Sequence, residues 1–259
     1  MDDQFDTRAY NREAWDRQVD SGGNPWTKPV SPEVIARARQ GEFSVLLTEN
    51  KPVPQTWFPE LGGLDVLALA CGGGQQGPVF AAAGASVTVF DNSPRQLDRD
   101  REVAVGEGLD NLRTVEGDAR NLSMFSDESF DFIFHPVSNL FIPEIRPIWK
   151  EAFRVLRHGG ILLAGFMNPI FYIFDIDKAE KGEMEVKYKL PYNDIEHTEM
   201  RERQLKNGWP LEHSHSLTDQ LAGQTEVGFH IIGLYEDVHS GVEISAYTPT
   251  YIATRALKP

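Results

Sequence analysis

From residue 64 the chain alternates between short apolar runs and polar or amphipathic stretches. "LDVLALA" (64–70) is nearly continuous in apolar residues, the pattern of a strand buried on both faces of a parallel sheet. A helix is predicted next, from about Gln76 to Ala83, with Gly84 as its stop. "SVTVFD" (86–91) predicts a second strand. Ser93-Pro94 then supplies an N-cap and a first-turn proline for a helix running to about Gly106. "LRTVEGD" (112–118) and "FDFIFH" (130–135) predict the third and fourth strands. A helix from about Pro143 to Leu156 precedes a fifth strand, "ILLAGF" (161–166). Repeated strand–helix alternation implies a doubly wound α/β sheet.

The pattern changes on both sides of this core, 62–166. Residues 1–60 predict a helical lead-in, with Phe5, Tyr10, Ala14, Trp15 and Val19 roughly on one face. A loop at "SGGNPWTKPV" and a helix capped by Ser31-Pro32 and closed by Gly41 complete it. Residues 167–215 mix charge, aromatics and proline, and are expected to form a cap over the sheet rather than a layer of it. The acidic stretch "DIDKAEKGEMEVK" within it is expected to face solvent. "SLTDQLAGQTEVG" (216–228) predicts a closing helix. "FHIIGLYED" and "YTPTYIATRAL" predict two strands joined too closely to be parallel, so the sheet should end in an antiparallel pair. The expectation is one domain with a mostly parallel, seven-stranded, Rossmann-like sheet.

Composition narrows the function classes. The chain has 259 residues and 41% hydrophobic content, enough for one substantial core. With 25 basic against 39 acidic residues, the net charge of −14 argues against a general nucleic-acid binder. No apolar run reaches the ~20 residues that span a bilayer. The acidic, polar opening "MDDQFDTRAYNREAW" is unlike a secretion signal, and the single cysteine, Cys71, suits a reducing cytoplasm.

The candidate chemistry begins at "VLALACGGGQQG" (66–77), where a strand breaks into glycines and a helix follows. Glycines let a backbone approach a ligand, and the helix start offers free N–H groups. Read as Gly72-x-Gly74-x-x-Gly77, the loop fits a dinucleotide-binding fingerprint. Asp91 closes the second strand, where a carboxylate can accept both hydroxyls of an adenosine ribose. Nicotinamide and S-adenosylmethionine folds share this logic, so the loop and Asp91 alone do not separate them.

The later segments do. "EGDAR" follows the third strand, "DESFDFIF" leads into the fourth, and "FRVLRHGGILLAGF" leads into the fifth. In this order they resemble the class I S-adenosylmethionine-dependent methyltransferases, specifically the small-molecule branch that includes ubiquinone and menaquinone biosynthesis enzymes. The resemblance implies methyl transfer to a small organic acceptor. It places cofactor contacts at Ala70, Cys71, Gly72, Gly74, Gln75, Gln76, Asp91, Asn92, Asp118, Ala119 and His135. Asp118 and Ala119 would face the adenine, and Gln75 and Gln76 the cofactor carboxylate. The sequence departs from that family in the loop: Ala68 stands at the usual acid and Ala70 at the first glycine.

Other candidates have plainer readings. Cys71 is a buried filler unless a base lies beside it. His135 and Asn139 follow the fourth strand, where packing and substrate contact are both open. His213 and His215 in "HSHS" lack the further ligands a metal site needs. His215 and His135 are the catalytic candidates, and no metal is expected. Tyr10, Trp15 and Trp26 either pack or fold over the cofactor. Two rival functions remain: a nicotinamide-dependent oxidoreductase, and a non-catalytic S-adenosylmethionine-binding protein.

Overall fold

The computed structural model describes residues 5–259; residues 1–4 of the lead-in lie outside the described part. Seven strands form one sheet: β1 (Asp65–Leu69), β2 (Ser86–Asp91), β3 (Leu112–Glu116), β4 (Phe130–His135), β5 (Leu156–Met167), β6 (His230–Asp237) and β7 (Tyr251–Leu257). Their order is β3-β2-β1-β4-β5-β7-β6. β1 to β5 run parallel, and β7 is antiparallel to both β5 and β6. Val66 pairs with Val87 on one side and Phe132 on the other, so apolar β-branched and aromatic side chains stack across the sheet.

Eight α-helices join these strands and flank them. They are α1 (Thr7–Ser21), α2 (Pro32–Ala38), α3 (Gln76–Ala82), α4 (Pro94–Glu107), α5 (Arg146–Val155), α6 (Ile176–Ala179), α7 (Thr198–Asn207) and α8 (Gly223–Glu226). Both sheet faces are covered. One carries a phenylalanine group in which Phe80, Phe132 and Phe134 are fully buried; the other packs Trp149, Leu67 and Ile133. Each such side chain contributes about 1.5–3 kcal/mol of burial.

The local signals act as their chemistry requires. Asp6 accepts the Ala9 N–H to start α1, and Ser93 accepts the Gln96 N–H to start α4. Gly22 and Gly108 end those helices with φ of 66° and 64°, the left-handed conformation.

Three elements differ from expectation. β5 starts at Leu156 rather than 161, because Leu156 already pairs with Phe130 across a bulge and Arg157 bridges Asp65 and Asp131. The helix expected over 216–228 is broken into a π-turn at Thr218–Ala222 and the short α8, which buries Gln220 and Gln224. The last strand begins at Tyr251, not near 247. Between β5 and the π-turn the chain forms α6, α7 and single turns, with isolated bridges at Phe174–Val186 and Asn193–His213 rather than a further strand of the sheet. In the acidic stretch Asp175 is buried against Lys187, while Glu180 and Glu183 face solvent.

The sheet order reverses between β1 and β4, which opens a crevice at the carboxyl ends of the strands. Segment 45–49 enters this region beside β5. A Cβ on Gly165 would fall 2.1 Å from the Leu47 carbonyl oxygen, so only glycine lets that segment lie there.

Candidate active site

The crevice is a cavity of about 480 Å³. At one end it is walled by Ala70, Cys71, Gly72, Gln75, Gln76, Asp91, Asn92, Asp118 and Ala119; at the other by Thr48, Glu49, Met167, Glu212, His239 and Tyr251. The first group lies over β1, β2 and β3. The second lies over β5, β7 and the cap. Of the cofactor and catalytic candidates named from the sequence, Gly74, His135 and His215 do not line it; nor do Asn139 and His213.

Asp91 is the centre of the first end. Its Oδ2 accepts the Gly72 N–H and its Oδ1 the Ser93 N–H, both at 2.9 Å. Each oxygen keeps a second lone pair for another donor. Burial pushes this carboxyl up, while the N–H groups of Ser93, Gly72 and Asn92 pull it back. A Cβ on Gly72 would lie 2.6 Å from Gln96 Cβ and 3.2 Å from the Asp91 carboxylate, so glycine is required for this contact. Gln96 Oε1, also at the wall, is buried without a hydrogen-bond partner among the described residues. A part-buried two-acceptor carboxylate beside a close-approaching backbone fits an adenosyl group with its ribose diol.

Asp118 is held by Arg120 through hydrogen bonds of 2.7 and 3.1 Å, with Arg8 at 3.7 Å. Burial raises this carboxyl, but the Arg120 bonds and charge outweigh it and hold it below the usual range. Asn92 exchanges hydrogen bonds with Arg8, accepting from its Nε and donating to its carbonyl. Gln75 donates its amide to the Pro25 and Lys28 carbonyls at 3.0 Å, tying the lead-in across the glycine loop. That engagement removes the Gln75 N–H groups from the carboxylate role expected of them.

With Ala68 at the usual acid, the glycine loop is instead tied to a carboxylate on α4 that the sequence motif does not reveal. Asp100, on α4 and fully buried, accepts the Gly73 N–H at 3.0 Å. Burial raises its carboxyl to about 8, against the Gly74 and Gly73 N–H groups, with Asp91 adding repulsion. The partner lies 27 residues away, so no local motif announces it.

His135, His213 and His215 lie outside the cavity wall. His135 is fully buried, with Nδ1 2.9 Å from the Leu69 carbonyl and Nε2 2.7 Å from the Asn139 side chain. Asn139 continues to Gln220 at 2.9 Å. Burial lowers the His135 pKa, against both hydrogen bonds. His215 points Nε2 at the Asn139 and Ile142 carbonyls, and burial lowers its pKa as well. Both rings hold the loop after β4 in place. His213 is pushed down to about 4 by burial and by His215. Among the described residues no group of three or more His, Cys, Asp or Glu is placed to hold a metal ion. Cys71 is buried, its thiol pushed well up by burial, and it meets Gln76 Oε1 at 3.4 Å.

The lead-in roofs the cavity. Trp15, Trp26, Arg8 and Asn11 line it; Tyr10 does not, and instead donates to the Gln204 and Trp209 carbonyls of the cap. Asn11 bridges α1 to Phe141 and Leu211. Asp16 accepts from Ser93 at the start of α4. α1 therefore binds both the core and the cap. No helix among the described residues is long and apolar enough to cross a membrane.

Comparison with known proteins agrees with this geometry. Residues 67–164 match the family model described as "Methyltransferase domain". The chain is 47% identical over 252 residues to the uncharacterized methyltransferase YbaJ of Bacillus subtilis, covering 96% of this chain and 98% of that one. Its fold is similar to an S-adenosylmethionine-dependent methyltransferase of Mesorhizobium loti, with a TM-score of 0.60 and 20% identity, covering 78% of this chain and 94% of that one. It is also similar in fold to geranyl diphosphate C-methyltransferase of Streptomyces coelicolor, solved with Mg2+, geranyl diphosphate and S-adenosyl-L-homocysteine. There the TM-score is 0.60 at 12% identity over 99% of both chains. Nothing in these likenesses favours the oxidoreductase or the non-catalytic reading. A relative this similar across nearly the whole of both chains settles the family: the chain belongs to the class I S-adenosylmethionine-dependent methyltransferases.

Proposed function

We propose that this enzyme methylates a small organic acceptor in the cytoplasm, with the cofactor held between the glycine loop and Asp91. The observation that carries the proposal is the single cavity wall running from Asp91 to Glu212 under the roof of α1 and the cap. The cofactor supplies an already activated methyl group, so the protein's task is alignment and exclusion of water. Asp91 would take the ribose hydroxyls on its two remaining lone pairs. Asp118, fixed by Arg120, and the Ala119 backbone would border the adenine. Ala70, Cys71 and Gly72 would carry the chain beneath the sulfur end, with Gln76 and Asn92 at its margins. Trp15 and Trp26 would close the roof. His135 and His215 are assigned to holding the loop after β4, since their ring nitrogens are engaged there.

Two further observations favour a small acceptor. α1 and the cap both contribute to the cavity wall, and the net charge of −14 disfavours a polyanionic substrate. The test is to incubate the enzyme with methyl-labelled cofactor and a bacterial extract split by size. Label in the small-molecule fraction is expected. Label confined to protein or nucleic acid would contradict the proposal.

A further inference from the structure

The far end of the cavity carries a charge arrangement that the cofactor does not explain. Glu212 accepts the Tyr172 hydroxyl on Oε2 at 2.9 Å, and its Oε1 has no hydrogen-bond partner among the described residues. Glu49 accepts the Tyr251 hydroxyl on Oε2 at 3.1 Å and the Ser240 N–H on Oε1 at 3.0 Å. Neither carboxylate has a lysine or arginine partner among the described residues; Glu49 has only His239, at 3.7 Å. Behind Glu212 lies a third carboxylate, Asp194, which accepts the Glu212 N–H at 2.8 Å and the Tyr192 hydroxyl at 2.6 Å. Glu151, by contrast, is paired with Arg154, and Asp65 and Asp131 with Arg157.

Two aromatic rings line this end: His239 stacks on Tyr251 with ring centres 6.0 Å apart, while Tyr172, bonded to Glu212, stacks on Tyr192 at 5.4 Å away from the wall. Enclosed carboxylates without a counter-ion are costly, and a ligand carrying positive charge offsets that cost. Aromatic faces attract the same ligand through their quadrupoles. A phosphate or carboxylate near the reacting atom would meet repulsion from Glu49, Glu212 and Asp194.

We infer that this end receives the ammonium group of a small amine, and that Glu212 is the base that frees its nitrogen, making the reaction an N-methylation. The inference rests on the methyl-transfer reading above. In the step, the ammonium gives one proton to Glu212 Oε1. The freed lone pair forms the new N–CH3 bond while the S–CH3 electron pair returns to sulfur. Positive charge passes from the sulfonium to the nitrogen, the product leaves as a methylammonium, and Glu212 releases its proton to water. Burial, with repulsion from Asp194, pushes Glu212 up to about 7, against the Tyr172 hydrogen bond. A base poised there is half available at neutral pH. The titratable groups around it are Asp194, Glu49, Tyr172, Tyr192, Tyr251 and His239.

The experiment uses labelled cofactor with matched probes: phenethylamine, tryptamine, histamine and putrescine against phenylacetate, indoleacetate, imidazoleacetate and succinate. Methylated product is expected from amines only. In Glu212→Gln, which keeps an acceptor for Tyr172, kcat/KM should fall roughly 100-fold or more, with S-adenosylhomocysteine affinity unchanged within about threefold. Wild-type kcat/KM should fall about tenfold per pH unit below pH 7, and that limb should be absent in Glu212→Gln. Glu212→Asp, which restores the charge, should recover part of the rate. Methylation of the anionic set, or of no amine by protein that binds S-adenosylhomocysteine, overturns the inference. So does a Glu212→Gln variant that loses homocysteine-nucleoside affinity as steeply as rate, since Glu212 would then serve the cofactor. Failure of the wild type to bind S-adenosylhomocysteine would instead overturn the methyl-transfer reading beneath it.

Discussion

Asp91→Ala isolates the contact on which the proposed cofactor end depends. In the structure two of the carboxylate's four lone pairs are committed, to Gly72 and Ser93, which leaves two for the ribose diol. Hydrogen bonds to a charged group are worth roughly 1.5–3 kcal/mol each. Water can partly replace the lost carboxylate, so the pair should cost about 2–4 kcal/mol, or roughly 30- to 1000-fold in affinity. The alanine also strips two backbone N–H groups of their acceptor, and a stability loss of about 1–3 kcal/mol should accompany the affinity loss. Asp91→Asn separates the two effects. It keeps one acceptor oxygen and the side-chain shape, so its affinity loss should lie between wild type and alanine while most of the stability is retained. The assay is calorimetric titration with S-adenosylhomocysteine, with circular dichroism and thermal melting on each variant. Affinities within twofold of wild type in both folded variants would refute the placement of the ribose.

Two further outcomes follow from the buried acids. Because burial raises the Asp91 carboxyl, S-adenosylhomocysteine affinity should fall as pH drops through that raised value, and Asp91→Asn should show no such fall; parallel profiles in titrations from pH 4 to 8 would contradict this. Asp100 stands at about 8 in the fold against about 3.9 unfolded, so its protonated form stabilises the native state fully below pH 4 and that contribution is lost as pH rises toward 8. Asp100→Asn should therefore gain in melting temperature relative to wild type as pH increases over that window, and a constant difference would show that the carboxyl is not held protonated.

The sheet was legible because its signal is local. Apolar runs such as 64–70 and 86–91 are what a strand covered on both faces requires, and Ser93-Pro94 and Gly84 mark helix ends by their own backbone chemistry. The start of β5 was not legible, because Arg157, His158 and two glycines carry no apolar signal; Leu156 and Ile161 pair with β4 on either side of a bulge, and the Arg157 bridges hold the stretch between them. The π-turn was hidden for a similar reason: it buries Gln220 toward Asn139, a contact across 81 residues. At the cofactor end, the glycines and Asp91 could be named because a strand, a turn and a helix place them within one short stretch. Asp100 carries no such local signal, because it reaches the loop from α4, 27 residues from the Gly73 N–H it accepts. The proposed acceptor end was invisible. Glu49, Glu212 and Tyr251 come from three distant segments, and only the cap and the antiparallel β7 bring them to one wall. The histidines misled in the opposite sense, since a polar residue at a strand end reads as a site residue until its hydrogen-bond partners are known.

The most direct test of the account is a crystal structure with S-adenosylhomocysteine bound. It should show both ribose hydroxyls on the Asp91 carboxylate, the adenine beside Asp118 and Ala119, and the sulfur turned toward the wall formed by Glu49 and Glu212. An adenosyl group bound away from Asp91, or a sulfur directed away from that wall, would contradict it.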